Sequence, residues 1–192
     1  MNTTGNCLLL DMTLARHCAP VLLGKKPAAL FPIPLGWDEM LTKMPLPGNM
    51  RFLLLRRPGK KALVFAYQLR LLSRALDTDG ARETLGALGY PAAEEAGDPG
   101  PCLAFLERRF WEGADFPHEV GFFLGYPPED VLGFIHHRGS HCKLCGMWKV
   151  YGDVARAAAL FAEYAKCRER LLKYVQNGGV ILREKPSATL AG

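Results

Sequence analysis

The sequence predicts an α+β fold, with helices packed on a small antiparallel sheet that includes a hairpin near 51–67. Three observations carry that expectation. Two apolar runs, 51–55 and 62–67, flank a basic segment whose Pro58-Gly59 suits a tight reversal, since Pro presets its backbone angle and Gly accepts a positive one. Leu53-Leu54-Leu55 shows no polar alternation, as expected of strands covered on both faces. Several segments beyond residue 68 carry Leu and Phe at helical spacing, with Gly or Pro at their ends.

In chain order, Asn6 can cap a first helix to about residue 16, because its side chain accepts from the free amides of the first turn. Pro20 then ends it or starts a second turn. The segment 25–47 holds Pro27, Pro32, Pro34, Gly36, Pro45 and Pro47. It reads as an extended loop pinned by Phe31, Ile33, Leu35 and Trp37. After the hairpin, a helix over 68–76 places Leu69, Leu72 and Leu76 on one face. Asp79 can cap another, ending at Gly89. An acidic Gly/Pro connector, 94–101, leads to a helix over 101–111, with Pro101 in a first turn where a missing amide costs nothing.

Pro117 opens a short helix to 124, and Pro127-Pro128-Glu129-Asp130 opens the next, its acids facing a positive helix end. Gly139 ends that helix, and a strand is expected over 147–151. Asp153 can cap a long helix to about 176, and 180–182 reads as a last strand. Leu-Gly-Tyr-Pro occurs at 88–91 and again at 124–127. Both copies read as a helix stop, with Gly in the left-handed cap and Pro barring continuation. The expected organisation is one globular domain over 1–185 and a flexible tail over 186–192.

Composition narrows the functional classes. The net charge of +5 is mild, and basic residues are scattered rather than gathered, so a nucleic-acid partner is not expected. The two short helices of 117–139 have helix-turn-helix spacing, but Glu129 and Asp130 would repel phosphates there. No apolar run is long enough to span a membrane, and Asp11 interrupts the only short apolar run near the N-terminus, so neither a membrane span nor a secretory leader is expected. In such a chain the six cysteines are expected as thiols in a cytoplasmic setting. Neither a dinucleotide-binding glycine motif nor a phosphate loop is present.

Candidate chemistry concentrates in 115–153, which holds four of the five histidines. Cys142-Lys143-Leu144-Cys145-Gly146 has the spacing of a zinc knuckle, in which two thiolates grip one ion. A closed site needs two further ligands, drawn from His137, His141, His118 or Cys18. The same pair could cycle between dithiol and disulfide. The strand expected after it departs from the helix start that thioredoxin-like sites use, so the metal reading ranks above the redox one. His118 and Glu119 form a candidate acid/base pair at a helix start. His17 and Cys18 could pair as base and nucleophile if the fold aligned them.

His17-Cys18-Ala19-Pro20, Lys26, Leu30-Phe31, Pro117-His118-Glu119, Leu124-Gly125-Tyr126-Pro127, Glu129-Asp130-Val131, Gly133-Phe134, Leu144-Cys145-Gly146 and Trp148-Lys149-Val150-Tyr151-Gly152 together resemble a bacterial domain-of-unknown-function family of about this length, met mostly in anaerobic gram-positive bacteria. The resemblance spans nearly the whole chain and implies a single cytoplasmic bacterial domain with no established activity. Its pattern includes Cys145 and does not require a cysteine at 142. A composite cluster of His17, Cys18, His118, Glu119 and Cys145 follows as the candidate site. The leading expectation is binding of a transition metal such as zinc or iron, or of a metal-containing cofactor, with His118 and Cys145 as first ligands, Cys18 or His17 joining them and Cys142 further back. The alternatives are a thiol-dependent enzyme acting on a small molecule, with Cys18 or Cys145 as nucleophile and His118 as base, and a non-catalytic protein-interaction domain.

Overall fold

A three-stranded antiparallel sheet forms the middle layer, in the order β1 (Ala28–Pro32), β3 (Leu63–Gln68), β2 (Met50–Leu55). The computed structural model describes residues 3–34, 37, 41, 49–56, 63–91, 98–113 and 115–182. Among them the hairpin expected near 51–67 is present, with Met50 opposite Gln68 and Leu55 opposite Leu63. The Pro58-Gly59 turn, half of the acidic connector and the tail from 186 lie outside the described residues.

The uninterrupted leucines of β2 have a physical reason. Successive strand side chains point to opposite faces, so a sheet covered on both sides needs apolar residues throughout. Leu55, Leu53, Phe65 and Ala28 join one core with Leu72, Leu76, Leu85, Leu106, Phe110 and Phe123. Phe52, Leu54, Val64, Ala66 and Phe31 join a second core with Leu10, Leu14, Cys18, Val21 and Val175. Helices therefore cover both faces. On the second side lie α1 (Thr3–Leu22) and the last helix, α7 (Val154–Gln176), which pack along each other.

The first side is built from α2 (Leu69–Leu76), α3 (Asp79–Ala87), α4 (Gly100–Glu112), α5 (Val120–Phe123) and α6 (Pro128–His137). Both Leu-Gly-Tyr-Pro copies act as the expected helix stop. Gly89 and Gly125 take positive φ of 82° and 73°. The amides of Tyr90 and Tyr126 reach back to the carbonyls of Leu85 and Gly121, the six-to-one bond of a left-handed cap. Asp153 caps α7 as expected, accepting from the Arg156 amide at 3.0 Å.

Three expectations are corrected. The first helix runs on to Leu22 with Pro20 inside its last turn, where Cys18, Ala19 and Val21 are buried. Tertiary packing there outweighs one lost helical hydrogen bond. Part of the supposed loop 25–47 is a strand, because Ala28–Pro32 pairs antiparallel with β3. Its prolines are tolerated at a sheet edge, where a missing amide need not meet a ladder partner. Residues 180–182 form no strand. Ile181 and Leu182 are buried in the second core, and the Leu182 amide donates to Asp11 Oδ1 at 2.9 Å instead of to a neighbouring strand.

That last contact leads to a pH prediction. Burial raises the Asp11 pKa above the usual 3.8, while the Leu182 and Ile181 amides oppose the shift. A carboxyl raised in the folded state binds its proton more tightly there than in the unfolded chain, so its ionisation lowers stability as pH climbs from the unfolded value through the folded one. Asp11→Asn keeps an acceptor for Leu182 and removes the ionisable group. It is expected to melt at the same or higher temperature at neutral pH and to flatten the acid-side pH dependence. A variant that melts lower at neutral pH would contradict this account of Asp11.

Candidate functional site

A second, two-stranded ribbon carries the region singled out by the sequence. β4 (Leu144–Cys145) pairs antiparallel with β5 (Lys149–Val150), placing Cys145 opposite Lys149. The ladder is shorter than the strand expected over 147–151, for two reasons. Gly146 closes the turn by donating to the Trp148 carbonyl at 3.0 Å. The next amides, Tyr151 and Gly152, turn away to Asp130 Oδ1 at 2.7 and 2.8 Å. Asp130 Oδ2 accepts from Trp148 Nε1 at 2.7 Å. One buried carboxylate on α6 thus takes three donors from the ribbon and fixes it to that helix.

Apolar contacts complete the seat. Trp148 stacks on Tyr126 at 4.7 Å and meets Phe161 of α7 edge-on at 4.4 Å. Gly146 has no room for a side chain because the Phe161 ring lies against its α-carbon, and Gly133 leaves its place to the Tyr151 ring in the same way. Tyr126 also lies under the Lys26 ammonium, 5.0 Å from the ring centroid. Burial lowers the Lys26 amine to about 8 and pushes the Tyr126 hydroxyl up to about 12.

Between α5, α6, the ribbon and Leu30 of β1 lies a cavity of about 450 Å³. Its apolar wall includes Phe116, Val131, Phe134, Met147 and Trp148. His118, Cys145, Asp130 and Lys149 also line it. His118 is held between rings, 5.6 Å from Phe116 and 4.8 Å from Phe134. Lys149 Nζ donates to the Gly139 carbonyl at 2.5 Å, which keeps a cation beside the cavity. The structure therefore brings together two residues that the sequence proposed as ligands 27 positions apart, His118 and Cys145. An apolar hollow with a few convergent polar groups is the usual form of a small-ligand site.

The other candidates lie elsewhere. Cys18 is fully buried in the second core, and burial drives its thiol far up, away from the thiolate that a nucleophile or ligand needs. His17 stacks flat on Phe31 at 5.1 Å, with its pKa lowered by burial and by Arg16 and Arg168. Glu119 is buried and engaged on one oxygen by Arg109 Nε and Nη2, each at 3.0 Å, and by the Tyr90 hydroxyl at 3.1 Å. Those bonds tie α5 to α4 and to the first helix stop, and Glu119 does not line the cavity. Cys142 Sγ lies 2.9 Å from Cys145 Sγ. His137 stacks on Tyr151 at 5.6 Å and meets His141 at 5.8 Å. Among the described residues, no three His, Cys, Asp or Glu side chains gather closely enough to hold one ion. A complete zinc site built from this chain's side chains alone is not formed there.

The chain belongs to the family described as Protein of unknown function (DUF3793), which matches residues 14–183. No curated protein and no solved structure matches the chain. The family match takes in Asp130, Trp148 and the whole cavity wall.

The sequence reads Asp130 as an acid in the first turn of a helix and as part of the family pattern, and does not name it as a site residue. Both of its oxygens accept from the ribbon, from Trp148, Tyr151 and Gly152. The available signal was Trp148, Tyr151 and Gly152, a buried indole and a strand end in need of an acceptor. Asp130→Ala leaves three donors unpaired and is expected to cost more than about 3 kcal/mol. Asp130→Asn keeps an oxygen for the two amides but sets an amide against the Trp148 indole N–H, at a cost of about 1–3 kcal/mol. Urea unfolding measures both, and a cost near zero for either would contradict this role.

Proposed function

We propose that this DUF3793-family protein binds a small ligand in the cavity between α5, α6 and the 144–150 ribbon, and that the ligand is flat, largely apolar, anionic at one end and associated with a transition metal. The observation that carries the reading is that His118 and Cys145 line one apolar cavity of about 450 Å³. An imidazole nitrogen and a thiolate are donors suited to zinc or iron. Two such donors fall short of a closed site, so the bound molecule would supply the remaining coordination. The rings of Phe116, Phe134 and Trp148 offer stacking surface, and burial of apolar area contributes about 25 cal/mol per Å². Lys149 supplies a positive charge for an acidic group on the ligand. The reading includes a bacterial, cytoplasmic setting, as the family resemblance implies. No described helix is long and apolar enough to cross a membrane.

Elemental analysis of protein purified without a chelator tests the reading. A transition metal near one per chain is expected, falling about tenfold or more in His118→Ala and in Cys145→Ala. Lys149→Met is expected to lower ligand occupancy while circular dichroism stays unchanged. A metal-free wild type, or metal content indifferent to both His118 and Cys145, would contradict it.

A further inference from the structure

Cys142 and Cys145 have a geometry that the cavity does not use. Their sulfurs lie 2.9 Å apart, inside ordinary van der Waals separation. Both are reachable, Cys145 exposed and Cys142 partly so, whereas Cys18, Cys102 and Cys167 are buried. The backbone between them is fixed from both sides. Lys143 N donates to the Val150 carbonyl at 2.8 Å, Leu144 pairs with Val150, and Gly146 N closes the turn on Trp148. His141, just ahead of the pair, takes a positive φ of 60°, which turns the chain into the ribbon. The Tyr151 hydroxyl is buried within electrostatic reach of both sulfurs, and no described group hydrogen-bonds it. A rigid ribbon that holds two accessible thiols in contact lowers the entropic cost of joining them.

We propose that Cys142 and Cys145 form a reversible dithiol–disulfide pair that exchanges with low-molecular-weight disulfides. The more exposed thiolate, Cys145, attacks one sulfur of the small disulfide. A mixed disulfide forms and one small thiolate leaves. Cys142 then attacks the Cys145 sulfur and expels the second small thiolate. The two protons shed by the protein thiols end on the two small thiols released. The protein loses two electrons and two protons, and the small disulfide gains both. Cys145 also lines the cavity, so the exchange uses the chain while that sulfur carries no metal ion.

The test equilibrates the intact chain in glutathione buffers of stepped disulfide-to-thiol ratio, quenches by alkylation, and maps each cysteine by peptide mass. Thiols 142 and 145 are expected to disappear together at oxidising ratios and to return together at reducing ones. Cys142→Ser is expected to stop at a Cys145–glutathione adduct that wild type does not accumulate. Cys145→Ser is expected to lose most of the reaction at 142. The proposal is overturned if both thiols stay alkylatable at every ratio, or if wild type halts at the mixed disulfide. A metal ion retained by wild type and lost in Cys142→Ser as well as Cys145→Ser also overturns it.

Discussion

The buried carboxylate of Asp130 is the interaction on which the candidate site of this molecule depends. A ribbon with two residues in each strand has too little ladder to stand by itself. Asp130 replaces the missing ladder with three charge-assisted hydrogen bonds, two to backbone amides and one to an indole. Those bonds set Trp148 over Tyr126 and bring Cys145 to the cavity that His118 already lines. Without them the two residues belong to separate pieces of chain. The arrangement places rigid support behind a site made from loop and ribbon residues, the usual division between scaffold and function.

Two other buried acids do similar work. Glu119 joins α5 to α4 through Arg109 and to the first helix stop through Tyr90. Asp11 holds the chain after α7 against α1. Each carboxylate accepts donors from a segment distant in sequence, which is the condition under which burying an acid is tolerable. His118 and Glu119 are sequence neighbours with different tasks. Glu119 is engaged by Arg109 and Tyr90, and His118 lines the cavity between the rings of Phe116 and Phe134.

Much of the fold was legible in the residues. The unbroken apolar run of β2 announced a sheet covered on both faces, and the two Leu-Gly-Tyr-Pro stops marked helix ends to the residue. Local chemistry determines such features, so local reading finds them. β1 was hidden because its prolines are incompatible only with an interior strand, and edge status is not local information. The path of 180–182 depends on Asp11, 171 positions earlier. Residue type and spacing made His118 and Cys145 candidates, and both line the cavity. Cys18 lies in the second core, and a thiol on a helix reads the same in sequence whether it faces solvent or a core. Asp130 was hidden by a good alternative explanation, compensation of a helix dipole. The sequence ranked metal binding by the cysteine pair above thiol exchange, whereas the ribbon supplies two touching thiols and no third ligand among the described residues.

Amide hydrogen exchange at Tyr151 and Gly152 measures the Asp130 constraint most directly. In the wild type both amides are expected to exchange as slowly as those of the buried ribbon partner Val150. In Asp130→Ala they are expected to exchange at rates close to those of an open loop, along with the rest of 141–152, while the amides of β3 and α1 keep their protection. If Tyr151 and Gly152 stay protected in Asp130→Ala, the ribbon is held by something else and the account of this site is wrong.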